Sequence, residues 1–239
     1  MMPKLSNRMK YIADMVTPGK VVADIGCDHA FISIYLVKEG ISKGGLAMDI
    51  AAGPLENAKK NIEMYGVADK VKTRISNGMD ALEKDESDAA IISGMGGPLI
   101  IDILSRGISK LSEGYELILS PQSEIEDVRH FLRKSNFRVV DEEMMIEDGK
   151  YYNIIKAIYL ENATDDEEAD TNILYDRYGK LLIQKKSPVL LRYTEERIEK
   201  LEGIYCKLSK ETGDSIIDRM AEINSEVDEL AKVIELIKN

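Results

Sequence analysis

Residues 23–31, ADIGCDHAF, carry an apolar run into a glycine, then into Asp28 and His29, one of only two histidines in the chain. Such a stretch reads as a strand turning into a ligand-binding loop. Gly26 lets the backbone approach a ligand closely, and the helix that follows can present its first amides to it. The loop lacks the GxGxxG spacing of a pyrophosphate cradle, and Asp28 would repel phosphate. A cationic or zwitterionic ligand suits it better. S-adenosylmethionine has an ammonium, a carboxylate and a sulfonium, and no phosphate.

Three further turns belong with the first. AMDI (47–50) ends a second apolar run at Asp49, with Ile50 after it; a carboxylate there can accept both ribose hydroxyls. SNGMDAL (76–82) places Asn77, Gly78 and Met79 after a third run, and the Asn77 carboxamide can both donate to and accept from an adenine edge. SGMGGPLI (93–100) ends a fourth run with Gly94, Met95, Gly96 and Gly97, which leave the backbone open to a substrate. At the carboxyl ends of a parallel sheet the four turns would converge, which suits a class I methyltransferase better than a nicotinamide dehydrogenase.

Elements that could position these turns are legible up to about residue 160. Strand patterns cover 21–25, 45–50, 71–76, 89–93, 117–120, 137–142 and 152–159, and helix patterns cover 6–16, 31–39, 54–65, 98–111 and 125–134. Apolar strands alternating with helices predict a parallel sheet covered on both faces, a Rossmann-like α/β fold. The last two strands are joined only by EDGK (147–150), which predicts an antiparallel hairpin at the end of the sheet. ENATDDEEAD (161–170) reads as a polar linker or helix start. Beyond it, Ile216, Met220, Ile223, Val227, Leu230, Ile234 and Ile237 alternate steps of four and three, a heptad seam. With Leu191, Ile198, Leu201, Tyr205 and Leu208 they predict an antiparallel helical coiled-coil hairpin turning near Gly213, with arms of about 25 residues, or about 38 Å. The expected domains are 1–163 and 164–239.

The net charge of −11 argues against a generic nucleic-acid coat. It hides a basic start (Lys4, Arg8, Lys10 and Lys20 against Asp14) and a first hairpin arm with more basic than acidic side chains, Lys185 and Lys186 among them. These can be ordinary solvated faces or a discontinuous phosphate-binding surface. The chain shows no membrane-spanning run and no signal sequence. Cys27 and Cys206 match no metal or redox spacing. A reduced, cytoplasmic protein without a metal is expected.

ADIGCDHAF, AMDIAAGPLENAKKNI, IISGMGGPLIIDIL, LILSPQ and EDGKYYNIIKA, with the opening LSNRMKYIADMV, resemble the bacterial tRNA (adenine-22-N1)-methyltransferases, the TrmK family. The resemblance covers roughly residues 5 to 160, and the hairpin fits that family's coiled-coil appendage. It implies methyl transfer from S-adenosylmethionine to N1 of an adenine in tRNA, with S-adenosylhomocysteine as product. With position in the fold, it implies that Asp24, Gly26, Asp49 and Asn77 bind the cofactor, flanked by Cys27, Ile50, Gly78, Met79 and Gly94. Asp28 and His29 would lie where the loop meets the methionine moiety or the target base, and are candidate catalytic residues with Gly94 and Met95. Gly94 to Gly97 would floor the incoming adenine. Two positions depart from the family pattern: Asn77 replaces an aspartate, and Ser120 replaces a glutamine.

Alternatives stand beside these roles. His29 can be a structural cap of the following helix, Cys27 a packing residue, and Tyr151 and Tyr152 half-buried packing residues or platforms for a flipped base. Arg8, Lys185 and Lys186 are the expected tRNA contacts. The hairpin is expected to close on itself in a monomer, a dimer through it being the other possibility. A small-molecule methyltransferase and a non-catalytic binding protein are the rival functions.

Overall fold

The computed structural model describes residues 2–161, 173–211 and 213–239. Most of the linker stretch, from residue 162 on, and Thr212 of the expected turn lie outside the described residues. The chain divides into two compact units, residues 1–166 and 167–239.

The first unit is built on one seven-stranded sheet in the order β3-β2-β1-β4-β5-β7-β6. Its elements are α1 (Asn7–Asp14), β1 (Lys20–Ile25), α2 (Phe31–Lys38), β2 (Ser42–Asp49), α3 (Ala52–Met64), β3 (Val71–Ile75), β4 (Ala89–Ser93), α4 (Gly97–Gly107), β5 (Glu116–Ser120), α5 (Ile125–Lys134), β6 (Phe137–Glu147) and β7 (Lys150–Tyr159). β1 to β5 run parallel. The expected hairpin is present, with β7 antiparallel to both β5 and β6, so β7 lies inside and β6 forms the edge.

The continuous apolar runs are explained by burial on both faces. On one face Ala23, Ile25, Ile92, Leu119 and Ile155 pack with Ile100, Leu104 and Val128 of α4 and α5. On the other, Val22, Ile91, Ile118 and Ile154 pack with Ile12 and Leu36 of α1 and α2. Helix ends follow local chemistry. Ser6 caps α1 through its hydroxyl, which accepts from the Met9 amide, and Pro98 lies in the first turn of α4, where no intrahelical donor is needed. The predicted helix over 98–111 ends at Gly107 and continues as a single 3-10 turn, Ile108–Lys110.

Among the described residues the second unit holds two short helices, α6 (Ile173–Tyr178) and α7 (Lys180–Gln184), and two long ones, α8 (Pro188–Leu208) and α9 (Asp214–Lys238). Ion pairs Arg197–Glu226 and Lys238–Glu195 join the long helices. Ile223, Leu230 and Ile237 of the expected seam are buried, and Val233 joins them. The first arm is shorter than expected. Ser187 accepts from the Leu190 amide and Pro188 follows it, so a new helix starts there. Among the described residues no helix is long and apolar enough to cross a membrane.

Candidate active site

Strand order reverses between β1 and β4, and the turns after β1, β2, β3 and β4 all leave the sheet at its carboxyl edge. Gly26 has φ +73°, and its amide and that of Cys27 both donate to the Met48 carbonyl, at 2.7 and 3.1 Å. A Cβ at Gly26 would come 2.3 Å from Cε of Met95. The first and fourth turns therefore meet, with Met95 lying over Gly26. Since a methionine tip can move, the positive φ is the firmer requirement for glycine.

Beyond Gly26 the loop twists through two more left-handed residues, Asp28 (φ +47°) and Ala30 (φ +57°). Asp28 is exposed, and its carboxylate lies 3.5 Å from Nε2 of His29. The His29 ring stacks on Phe31 with centroids 5.4 Å apart, and its carbonyl accepts from the Asn61 carboxamide at 3.0 Å. His29 is not the cap of α2. The cap position is Ala30, and no side chain bonds there. Cys27 is buried, and desolvation, then the charges of Asp24 and Asp49, push its thiol up. A neutral thiol is a packing group, not a nucleophile.

The turn of Asp24 differs from expectation. Its side chain is 4 % exposed and accepts from Ser33 Oγ at 2.8 Å, so the carboxylate serves the first turn of α2 instead of facing solvent. Burial, partly offset by the bonds from Ser33, pushes its pKa up to about 6. Ser33 was not singled out in the sequence. Its signal is a hydroxyl within the otherwise apolar FISIYLV of a buried helix. Asp49 is half-buried, with Oδ1 accepting from the Ala51 amide at 2.9 Å. Ile50 is 67 % exposed beside it. Asn77 is exposed after β3, whereas Met79 is fully buried, its sulfur packed against Gly107. Only the backbone of Met79 can face a ligand.

The fourth turn is laced to the segment after β5. Gly94 N donates to Ser120 O (3.1 Å), Gln122 N to Met95 O (2.9 Å) and Gly97 N to Ser123 O (3.1 Å). The three glycines have different reasons. A Cβ at Gly97 would lie 2.7 Å from the carbonyl oxygens of both Ser123 and Glu124, so this buried glycine serves packing and not the floor of a substrate pocket. Gly96 is confined by Ser123 Oγ at 3.0 Å, and at Gly94 nothing approaches within 3.9 Å. Only Gly94 leaves an open approach. Ser120 is fully buried, and its hydroxyl has no partner among the described residues. A surface contact through that side chain is not available.

Arg8, Tyr151 and Tyr152 gather where the β6–β7 hairpin extends beyond the carboxyl end of β5. The Arg8 guanidinium lies 4.9 Å over the Tyr152 ring, and its amide donates to Glu147 at 3.2 Å. Arg8 covers one face of Tyr152, and the ring packs against the core under α1. The geometry favours packing over base stacking at Tyr152; Tyr151 is half-buried beside it. Lys185 and Lys186 belong to the second unit and are exposed just before the cap of α8.

No Lys or Arg pairs with Asp24, Asp28 or Asp49 among the described residues. The turns after β1 and β2 thus form an acidic, glycine-opened cleft suited to a ligand with positive charge and poorly suited to a pyrophosphate. Among the described residues no group of three or more His, Cys, Asp or Glu could hold a metal ion.

Comparison with known proteins agrees with this arrangement. A methyltransferase domain family matches residues 5–155. The tRNA (adenine(22)-N(1))-methyltransferase of Bacillus subtilis is 33% identical over 215 residues, 87% of each chain. The crystal structure of the B. subtilis M1A22 tRNA methyltransferase TrmK superposes with a TM-score of 0.82 at 31% identity, covering 97% of this chain and 99% of that one. A Streptococcus pneumoniae protein described as a putative tRNA (m1A22) methyltransferase, solved in complex with S-adenosyl-L-methionine, gives 0.80 at 29% identity, covering 97% and 100%.

Proposed function

The chain belongs to the tRNA (adenine(22)-N(1))-methyltransferase family, and from that premise we propose that it transfers a methyl group from S-adenosylmethionine to N1 of adenine 22 in tRNA. The observation that carries this reading is the acidic switch point, where Met95 of the fourth turn lies over Gly26 and Asp49 interacts with Asp24, with no cation paired to either carboxylate among the described residues. The cofactor, when bound, supplies a methyl group on a positively charged sulfur that is a good leaving group. N1 of neutral adenine attacks through its lone pair. The N–C bond forms as the C–S bond breaks, its electron pair stays on sulfur as S-adenosylhomocysteine, and the base becomes cationic. No proton need leave first, so the chain acts chiefly by alignment.

Asp49 is assigned to the ribose hydroxyls and Asn77 with the amides of Gly78 and Met79 to the adenine edge. Gly26, Cys27 and Ile50 line the cofactor, and Asp24 acts by holding the loop through α2. Asp28 and His29 stand at the mouth, where a carboxylate would stabilise the positive charge appearing on the target base. Gly94 and Met95 face the incoming adenine, which must be extruded from the tRNA fold. Arg8, Lys185 and Lys186 are assigned to the tRNA backbone. Residues 1–163 are read as the methyltransferase domain and 164–239 as a coiled coil closed on itself, in a monomer working in the cytoplasm.

The test is transfer from labelled S-adenosylmethionine to unmodified tRNA, followed by mapping of the product. N1-methyladenine at position 22 is expected. Label at another nucleotide, or on a small molecule alone, would overturn the assignment.

A further inference from the structure

The turn after β3 is held in an unusual way. Every carbonyl from residue 77 to 81 accepts from a side chain. Arg106 Nη1 donates to Asn77 O at 3.4 Å, and Ser76 Oγ to Gly78 O at 2.8 Å. Lys110 Nζ donates to Met79 O at 3.0 Å and Asp80 O at 2.5 Å, and Arg74 Nη1 to Ala81 O at 2.9 Å. Both arginines have carboxylate partners outside the turn. Arg106 also pairs with Asp80 and Asp102, and Arg74 pairs with both carboxylate oxygens of Glu86. Lys110 is set by the 3-10 turn that ends α4.

The donors of the first half of the same turn are free. The amides of Asp80, Ala81 and Leu82 have acceptors. Those of Asn77, Gly78 and Met79 have none among the described residues, nor does the exposed Asn77 carboxamide. The Gly78 and Met79 amides belong to peptide groups whose carbonyls already accept from Arg106 and Ser76. A peptide that accepts at oxygen is polarised and donates more strongly at nitrogen.

We propose that Arg106 and Lys110 are positioning residues for the cofactor, both holding the 77–81 turn and Arg106 also polarising the peptide that carries the Gly78 amide, so that the turn's free amides and the Asn77 side chain meet the acceptor nitrogens of the adenine ring. This rests on the reading that the turn after β3 takes the adenine. It adds a cause for the turn's shape that lies outside the turn, on α4 and the 3-10 turn that follows it.

The experiment is calorimetric titration of S-adenosylhomocysteine into the full chain and into Arg106→Met, Lys110→Met, their double variant and Asn77→Ala. Each single clamp variant is expected to weaken binding about fivefold and the double variant about tenfold, as for partly exposed charged contacts. kcat at saturating S-adenosylmethionine and affinity for tRNA should hold while KM for the cofactor rises. Against the 1-deaza and 3-deaza purine analogues, the loss caused by Arg106→Met should shrink for the nitrogen that the turn reads. Arg106→Lys, which keeps the charge but not the fork, should fall between and guards against misfolding of the methionine variant. Unchanged affinity in the clamp variants beside a loss in Asn77→Ala would overturn the inference and leave the adenine reading standing. Unchanged affinity in Asn77→Ala as well would remove both.

Discussion

Asp24 shows how one carboxylate can hold a loop and respond to pH. Its pKa in the fold, about 6, lies above the ordinary 3.8 because burial disfavours the charge. The folded chain therefore keeps a proton that the unfolded chain releases between these values. Stability from this group is full below about pH 4 and is lost as pH rises through about 6, a change of order 3 kcal/mol. Asp24→Asn can still accept from Ser33 but cannot ionise. The cofactor-free variant should melt above the parent at pH 8 and level with it at pH 4. A lower melting temperature at pH 8 would mean that α2 needs the anion. The same substitution should weaken binding of the cationic cofactor at pH 8, by titration. The sequence made Gly26, Asp49 and Asn77 legible because a glycine or polar residue ending an apolar run has few reasons to be there. It could not show that Asp24 turns inward to Ser33, that Met79 faces the core, or that Gly97 fits under two carbonyls. In each case the deciding contact comes from another element.

At the scale of elements, the β6–β7 hairpin was predicted from EDGK, but β6 runs to Glu147 and not to residue 142. The acidic run DEE inside it resembles a strand end. Glu142 is instead buried against Arg129 of α5, with Nε to Oε1 at 2.7 Å, and Arg129 also reaches Asn153 of β7 at 3.2 Å. The ion pair thus lets one residue of an acidic run be buried within the edge strand, a pairing over 13 residues that no local pattern announces. Arg129→Met should cost about 3–5 kcal/mol in urea unfolding by removing the guanidinium that donates to the buried Glu142 carboxylate, and Arg129→Met with Glu142→Leu should recover most of it. Equal losses in the two would deny the pair its role. Part of the predicted seam was legible in α9, where Ile223, Leu230 and Ile237 are buried, since its steps need only one helix. The start of α8 at Ser187–Pro188 was not singled out, although a serine before a proline is a helix-start signal and the apolar series begins just after it, at Leu191.

For the whole molecule, charge divides the work. The cofactor cleft is acidic while the expected tRNA contacts are cationic, which suits one ligand carrying positive charge and another built of phosphates. Charge reversal at Lys185 and Lys186 should weaken tRNA binding and lower the slope of log affinity against log salt by about 1.5 to 2. Cofactor affinity should be untouched. An unchanged salt slope would place the RNA elsewhere on the surface. The fold class was readable because strand and helix patterns alternate as far as the hairpin, with the single exception of β3 and β4, which follow one another without a helix between them. The strand order was not, since the position of β7 depends on pairing across the chain.

That position has a consequence during synthesis. β6 is made before β7 yet lies outside it, so β5 gains its second neighbour only when residues 155–158 are free to pair with it. Until then a growing chain carries α5 and β6 beside an open strand edge that they cannot close, and such edges invite pairing with other chains. The ribosome must therefore deliver the end of the first unit before its sheet is safe from neighbours.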